Sequence, residues 1–140
     1  MANDSNCIFC KIASGEIPAA VVWSSDAAVA FLDVNPLAEG HTLLIPRVHC
    51  ADLRDCPAQQ LADLMAPLPK LVDALMKATG ATGVNVLQNT GASAGQAVFH
   101  LHVHLIPRID DDNLGYRWNA GSYTTGRADE TLAALKAALG

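Results

Sequence analysis

The chain reads as one mixed domain in which short strands precede and follow a helical segment. Apolar runs bounded by turn residues occupy the stretch before residue 50. Between residues 57 and 79 the apolar period changes to threes and fours. Short apolar runs then resume. A length of 140 residues suits a single domain whose core can stand alone, so residues 1–140 are taken as one unit.

The elements follow in order. Cys7 to Ile12 forms a helical turn, closed by the break Ser14-Gly15-Glu16-Ile17-Pro18. Val21 to Ser24 and Val29 to Val34 are strands joined by a turn at Ser25-Asp26. After the loop signals Asn35-Pro36 and Glu39-Gly40 comes a strand from His41 to Pro46, apolar enough to be buried on both faces. Leu61, Leu64, Met65, Leu68, Leu71, Val72, Leu75 and Met76 make an amphipathic helix of Pro57 to Thr79, with Gly80 as its stop. Pro67 and Pro69 predict a kink or a division into two helices. Val84 to Gln88 is a fourth strand, Asn89 to Gln96 a glycine-rich loop, and Val98 to Pro107 a fifth strand. Asp111 to Gly126 is an irregular arm, and Glu130 to Leu139 a short closing helix.

Half the residues (51%) are apolar and 16% are charged, a globular balance with apolar surface to spare for a subunit interface. A net charge of −5 argues against a nucleic-acid footprint, while a small nucleotide needs only a few local donors. No signal peptide is readable and no apolar run reaches the ~20 residues of a spanning helix, so a soluble, cytoplasmic protein without membrane contact is expected.

Chemistry concentrates in the run His100-Leu101-His102-Val103-His104-Leu105-Ile106. On a strand the three imidazoles share one face about 6.5 Å apart, with Leu101, Val103 and Leu105 behind them. On a helix they would be scattered. Such a row can be a solvated face, a metal site or a catalytic group, since imidazole moves protons near neutral pH. Cys7-Ile8-Phe9-Cys10 has the spacing of half a zinc site, which Cys50 with Cys56, or histidines, can complete.

Together with Cys-Ile-Phe-Cys-Lys-Ile, Ala-Phe-Leu-Asp-Val-Asn-Pro, Gly-His-Thr-Leu-Leu-Ile-Pro-Arg-Val-His and Gly-Gln-Ala-Val-Phe-His-Leu-His-Val-His, the triad resembles the histidine triad (HIT) family over residues 7–108. The bacterial histidine triad nucleotide-binding branch is the nearest in kind. The resemblance implies an α+β, HIT-like fold: a five-stranded antiparallel sheet with one long helix and a short C-terminal helix. It also implies a homodimer with a ten-stranded sheet. The arm, with Tyr116, Trp118 and Tyr123, is then expected to border the partner's active site.

The implied function is a purine nucleotide-binding hydrolase or nucleotidyl transferase. It cleaves the α-phosphate linkage of nucleoside phosphoramidates or acyl-nucleotides through a nucleotidyl-histidine, releasing a nucleoside monophosphate. Two alternatives stand beside it: a dinucleoside polyphosphate hydrolase, and a zinc-stabilised nucleotide-binding module with little turnover. The implied catalytic group is His102 as nucleophile, His104 on the α-phosphate and leaving group, His41 in the proton network, and His100. A neutral imidazole attacks without prior deprotonation, so the step requires no metal.

The resemblance assigns Ile8, Phe9, Ile12, Phe31 and Val34 to the base pocket and Asp33 to the ribose. Asp33 also suits a turn cap. Backbone near Asn89, Gly95, Gln96, Ala97 and Val98 would cradle the phosphate. The chain departs from the family at Ala97, where members often carry a serine that bonds the leaving group. The N-terminal pair resembles that of members with a structural zinc, which assigns Cys7, Cys10, His49 and His100 as ligands and leaves Cys50 and Cys56 as free thiols.

Overall fold

A computed structural model describes residues 4–114 and 120–140. The elements are α1 (Ile8–Ser14), β1 (Val21–Ser24), β2 (Ala28–Leu32), β3 (Thr42–Pro46), a 3₁₀ turn (Leu53–Asp55), α2 (Ala58–Met65), α3 (Leu68–Thr79), β4 (Gly83–Gln88), a second 3₁₀ turn (Ala92–Ala94), β5 (Val103–Arg108) and α4 (Arg127–Leu139). The five strands form one antiparallel sheet in the order β1-β2-β3-β5-β4. This is the α+β architecture the sequence predicts.

Strand alternation builds a core on each face of the sheet. Ala28 and Ala30 of β2, Leu44 of β3 and Val103 and Leu105 of β5 turn to one side, where Leu64 of α2 and Leu71 and Leu75 of α3 cover them. Val29, Phe31, Leu43 and Ile45 turn to the other, where Phe9 and Ala13 of α1 pack. β3 is buried along its whole length because both faces are covered, as its unbroken apolar run predicts. Fully burying a side chain such as Leu44 contributes about 2 kcal/mol.

The long helical pattern divides at Ala66 and Pro67. Ala66 N–H donates to Ala62, and the next helical bond runs from Leu71 to the Pro67 carbonyl. Pro67 and Pro69 sit at the start of α3, where a helix has no partner for an N–H in any case. The first helix runs further than expected, to Ser14, because Gly15 adopts φ +82° and closes it. Gly40 has a harder constraint. At φ +92°, a Cβ there would meet Thr79 Cγ2 at 2.7 Å, so the residue before His41 must be glycine to pass α3.

Beyond β5, Arg108 binds Asp112 through two nitrogens (2.6 and 2.8 Å) and Asn85 through a third (2.7 Å), fastening the start of the arm to β4. Tyr123 is exposed, whereas Tyr116 and Trp118 lie outside the described residues. Among the described residues no helix is long and apolar enough to cross a membrane.

Candidate active site and metal cluster

The sequence predicts one strand from Val98 carrying all three histidines. In the structure β5 begins at Val103, and only His104 lies on it. The cause is on β3. Its register with β5 (Leu44 opposite Val103) would set Pro46 opposite Leu101, but proline has no N–H to continue the ladder. The Pro46 carbonyl instead accepts from His100 Nε2 at 2.9 Å. Leu101 N–H turns away to the Cys50 carbonyl at 2.8 Å. With His100 and His102 outside the ladder and His104 on it, the three rings part: His100 points into a cysteine-histidine cluster, His104 meets His41, and His102 stands between them.

The hydrogen bonds fix the tautomers of the neutral rings. Leu37 N–H donates to His41 Nδ1 (3.0 Å), so the His41 proton sits on Nε2 and is donated to His104 Nδ1 (2.9 Å). His104 therefore carries its own proton on Nε2. His102 Nδ1–H donates to the His100 carbonyl at 2.8 Å, which leaves the Nε2 lone pair free. The His102 and His104 rings stand 5.0 Å apart. The site thus presents one nucleophilic nitrogen and, beside it, one N–H donor. Burial pushes His104 down to about 4 and lowers His41, against the opposing pull of Asp33 on each, so both rings are neutral at pH 7.

Asp33 makes the turn cap that its sequence context suits. One carboxylate oxygen caps the turn by accepting from Asn35 N–H (2.8 Å), and the other faces His41 Nε2 at 3.7 Å. The apolar set divides. Phe9 and Phe31 are buried core residues in edge contact at 5.5 Å, Ile12 is half-buried, and Ile8 (49% exposed) and Val34 (90%) are open. In the glycine-rich loop the N–H groups of Gly95 and Gln96 do not face a ligand: they donate to Ala92 and Gly91 carbonyls inside the loop. Among the described residues, the Asn89, Ala97 and Val98 N–H groups of that set meet no acceptor. Asn89 is half-buried, its side chain against Gly95.

Gln96 is engaged through its side chain, which no motif in the sequence marks. Its buried amide donates to the Ala51 (2.7 Å) and Val98 (3.1 Å) carbonyls and accepts from Gly91 N–H (2.8 Å). The Leu37 N–H and the Pro46 carbonyl were equally hidden, being backbone groups.

The second cluster gathers Cys7, Cys10, His49 and His100, their ligand atoms all within 4.8 Å of one another. Sγ of Cys7 lies 3.3 Å from His100 Nδ1, Sγ of Cys10 lies 3.4 Å from His49 Nδ1 and 3.5 Å from His100 Nδ1, and the two Nδ1 atoms are 3.2 Å apart. A tetrahedron with zinc-length bonds has edges of roughly 3.3–3.8 Å, so this donor set fits a small dication. His100 Nε2–H on Pro46 is the outer-shell bond that aims Nδ1 inward. Burial holds His100 neutral, down at about 4, as a ligand must be. Burial also raises the Cys10 thiol, a penalty that thiolate ligation by a dication reverses. Cys50 and Cys56 stand outside the cluster as free thiols, and burial drives Cys50 up to about 12.

An NMR titration of His104 is expected to show its midpoint near 4, far below the ~6.5 of an exposed imidazole. The folded value is depressed, so the unfolded chain takes up this proton first. Its contribution to stability therefore falls as pH drops from about 6.5 through 4.

A family model described as HIT domain matches residues 14–111. An Arabidopsis thaliana protein named adenylylsulfatase HINT3 is 42% identical over 110 residues, covering 79% of this chain and 56% of its own length, so the chain spans little more than half of that relative. The Candida albicans adenosine 5'-monophosphoramidase HNT1 is 42% identical over 125 residues, covering 86% of this chain and 82% of its own. Among solved structures, a Streptococcus mutans protein superposes with a TM-score of 0.94 at 36% identity, covering 99% of this chain and 88% of its own. A zinc-bound histidine triad family protein from Mycobacterium smegmatis superposes at 0.75 with 36% identity, covering 95% and 97%. The chain belongs to the HIT family.

Proposed function

We propose that the chain is a purine nucleotide-binding hydrolase or nucleotidyl transferase acting at the α-phosphate of nucleoside phosphoramidates or acyl-nucleotides. The observation that carries this is the free Nε2 of His102 beside the Nε2–H of His104. His102 Nε2 attacks the α-phosphorus, and the bond from phosphorus to the leaving group breaks. Positive charge grows on the His102 ring, and the Nδ1–H bond to the His100 carbonyl strengthens with it. His104 directs its N–H at a phosphoryl oxygen, with the Ala97 and Val98 amides as further donors. The departing amine takes up one proton from solvent, relayed through His104, whose burial keeps its proton affinity low so that the proton is passed on. The water of the next step returns one proton to solvent. Water then cleaves the phosphorus–histidine bond and releases the nucleoside monophosphate.

Named relatives act on related bonds, as an adenosine 5'-monophosphoramidase and an adenylylsulfatase. Asp33 is proposed to bind the ribose, and the wall of Ile8, Phe9, Ile12, Phe31 and Val34 to receive the base. We assign structural zinc to Cys7, Cys10, His49 and His100, supported by their spacing and by the zinc-bound relative. When bound, zinc fastens α1 to the sheet. Homodimerisation is proposed through the open edge of β4, where Val86 and Leu87 are exposed.

With a fluorogenic adenosine phosphoramidate the protein is expected to turn over, and His102→Ala to lose at least about 10³-fold in kcat. Turnover surviving the substitution overturns the mechanism, and no turnover in either protein favours the binding module. Metal analysis is expected to find one zinc per chain, lost in Cys10→Ser together with a fall in Tm. Ala97 lacks a hydroxyl to assist a departing amine. Ala97→Ser is therefore expected to raise phosphoramidate kcat/KM about tenfold, one hydrogen bond's worth, with acyl-adenylate hydrolysis unchanged.

A further inference from the structure

Helix α1 carries two cluster donors, Cys7 at its N-cap and Cys10, with Phe9 between them. The buried Phe9 ring stands edge-on to the His102 ring at 5.2 Å and 86°, and to the His100 ring at 5.8 Å and 76°. One aromatic side chain thus touches a cluster donor and the proposed nucleophile together, with Phe31 behind it at 5.5 Å. The hydrogen bond from His102 Nδ1 fixes one atom of that ring. Rotation about its side-chain torsions is limited by the rings packed against it, Phe9 at 5.2 Å and His104 at 5.0 Å.

A helix of seven residues does not hold itself in place. Its end is tied by Arg47 Nη1 to the Ala13 carbonyl (2.6 Å). At its start Phe9 packs against Val29, Phe31, Leu43 and Ile45 of the sheet, and the polar ties there are the cysteine–histidine contacts of the cluster. Thiols are weak hydrogen-bonding groups, whereas coordinate bonds through a shared metal are strong.

We propose that Phe9 is a positioning residue through which the Cys7, Cys10, His49 and His100 cluster sets the orientation of the His102 ring. This rests on the proposed zinc and nucleophile, and it gives the metal an influence on a reaction in which it takes no part. It also gives Phe9 a role apart from lining a base pocket. A pocket role alone raises KM and leaves kcat unchanged; a positioning role lowers kcat at saturating nucleotide.

The test uses the full chain, zinc-loaded and ¹⁵N-labelled at histidine, reading the His102 imidazole signals beside the kinetics. In Phe9→Leu, zinc content is expected to be unchanged. The His102 Nδ1–H tautomer signal gives way to a mixture, and kcat falls about tenfold, the usual scale for loss of an outer-shell support. KM stays within about twofold, and Phe9→Tyr, which keeps the aromatic edge, restores both readouts. Removing zinc from the parent protein reproduces the His102 change, and removing it from Phe9→Leu adds less than about twofold.

Unchanged His102 signals in Phe9→Leu overturn the proposal, as do effects of substitution and zinc removal that multiply. If chelation unfolds the chain, the zinc-loaded Leu and Tyr variants decide: failure of Tyr to restore the signals overturns it. Absence of turnover in every protein overturns the hydrolase reading alone, because the imidazole signals are read without substrate.

Discussion

Pro46 offers the sheet a carbonyl and no N–H, and the arrangement of the whole site follows from that asymmetry. β3 and β5 pair from Thr42 to Leu44, and the ladder stops short of Pro46. Its carbonyl accepts from His100, which aims the opposite ring nitrogen at the two cysteines. The His100 carbonyl, unused by any ladder, is free to accept from His102. A missing donor on one strand thus determines where His100 and His102, the two histidines that precede β5, point.

The motif therefore holds three rings in three environments. His100 is fully buried and faces sulfur; His104 is on the strand and faces another imidazole; His102 uses one nitrogen internally and keeps the other. Regular alternation along a strand would have given three similar groups. The divergence arises because the chain leaves the ladder between the second and third.

Much of the fold was legible. β1 runs from Val21 to Ser24 as its apolar run and turn indicate, β3 is buried on both faces, and the proline pair divides the long helix. These features depend on local pattern and on covalent limits of proline and glycine. The start of β5 was not legible, because it depends on which residue of a distant strand lies opposite. The site was legible in its side chains: the donors of both clusters can be named from the sequence. Their couplings pass through the Leu37 amide and the Pro46 and His100 carbonyls, groups that every residue type carries and that no motif marks. The Gln96 amide was hidden for a related reason: a glycine-rich loop invites attention to its backbone, while this loop is organised by a side chain.

That amide joins three backbone segments at Gly91, Val98 and Ala51, the last two residues from His49. The loop is consequently ordered before any anion arrives. Conformational freedom that a loose phosphate loop would surrender on association is already absent from the free protein, so less of the contact free energy is offset by ordering. Under the proposed function, affinity for a phosphate group would then depend on how well the Ala97 and Val98 amides of this ordered loop match its oxygens.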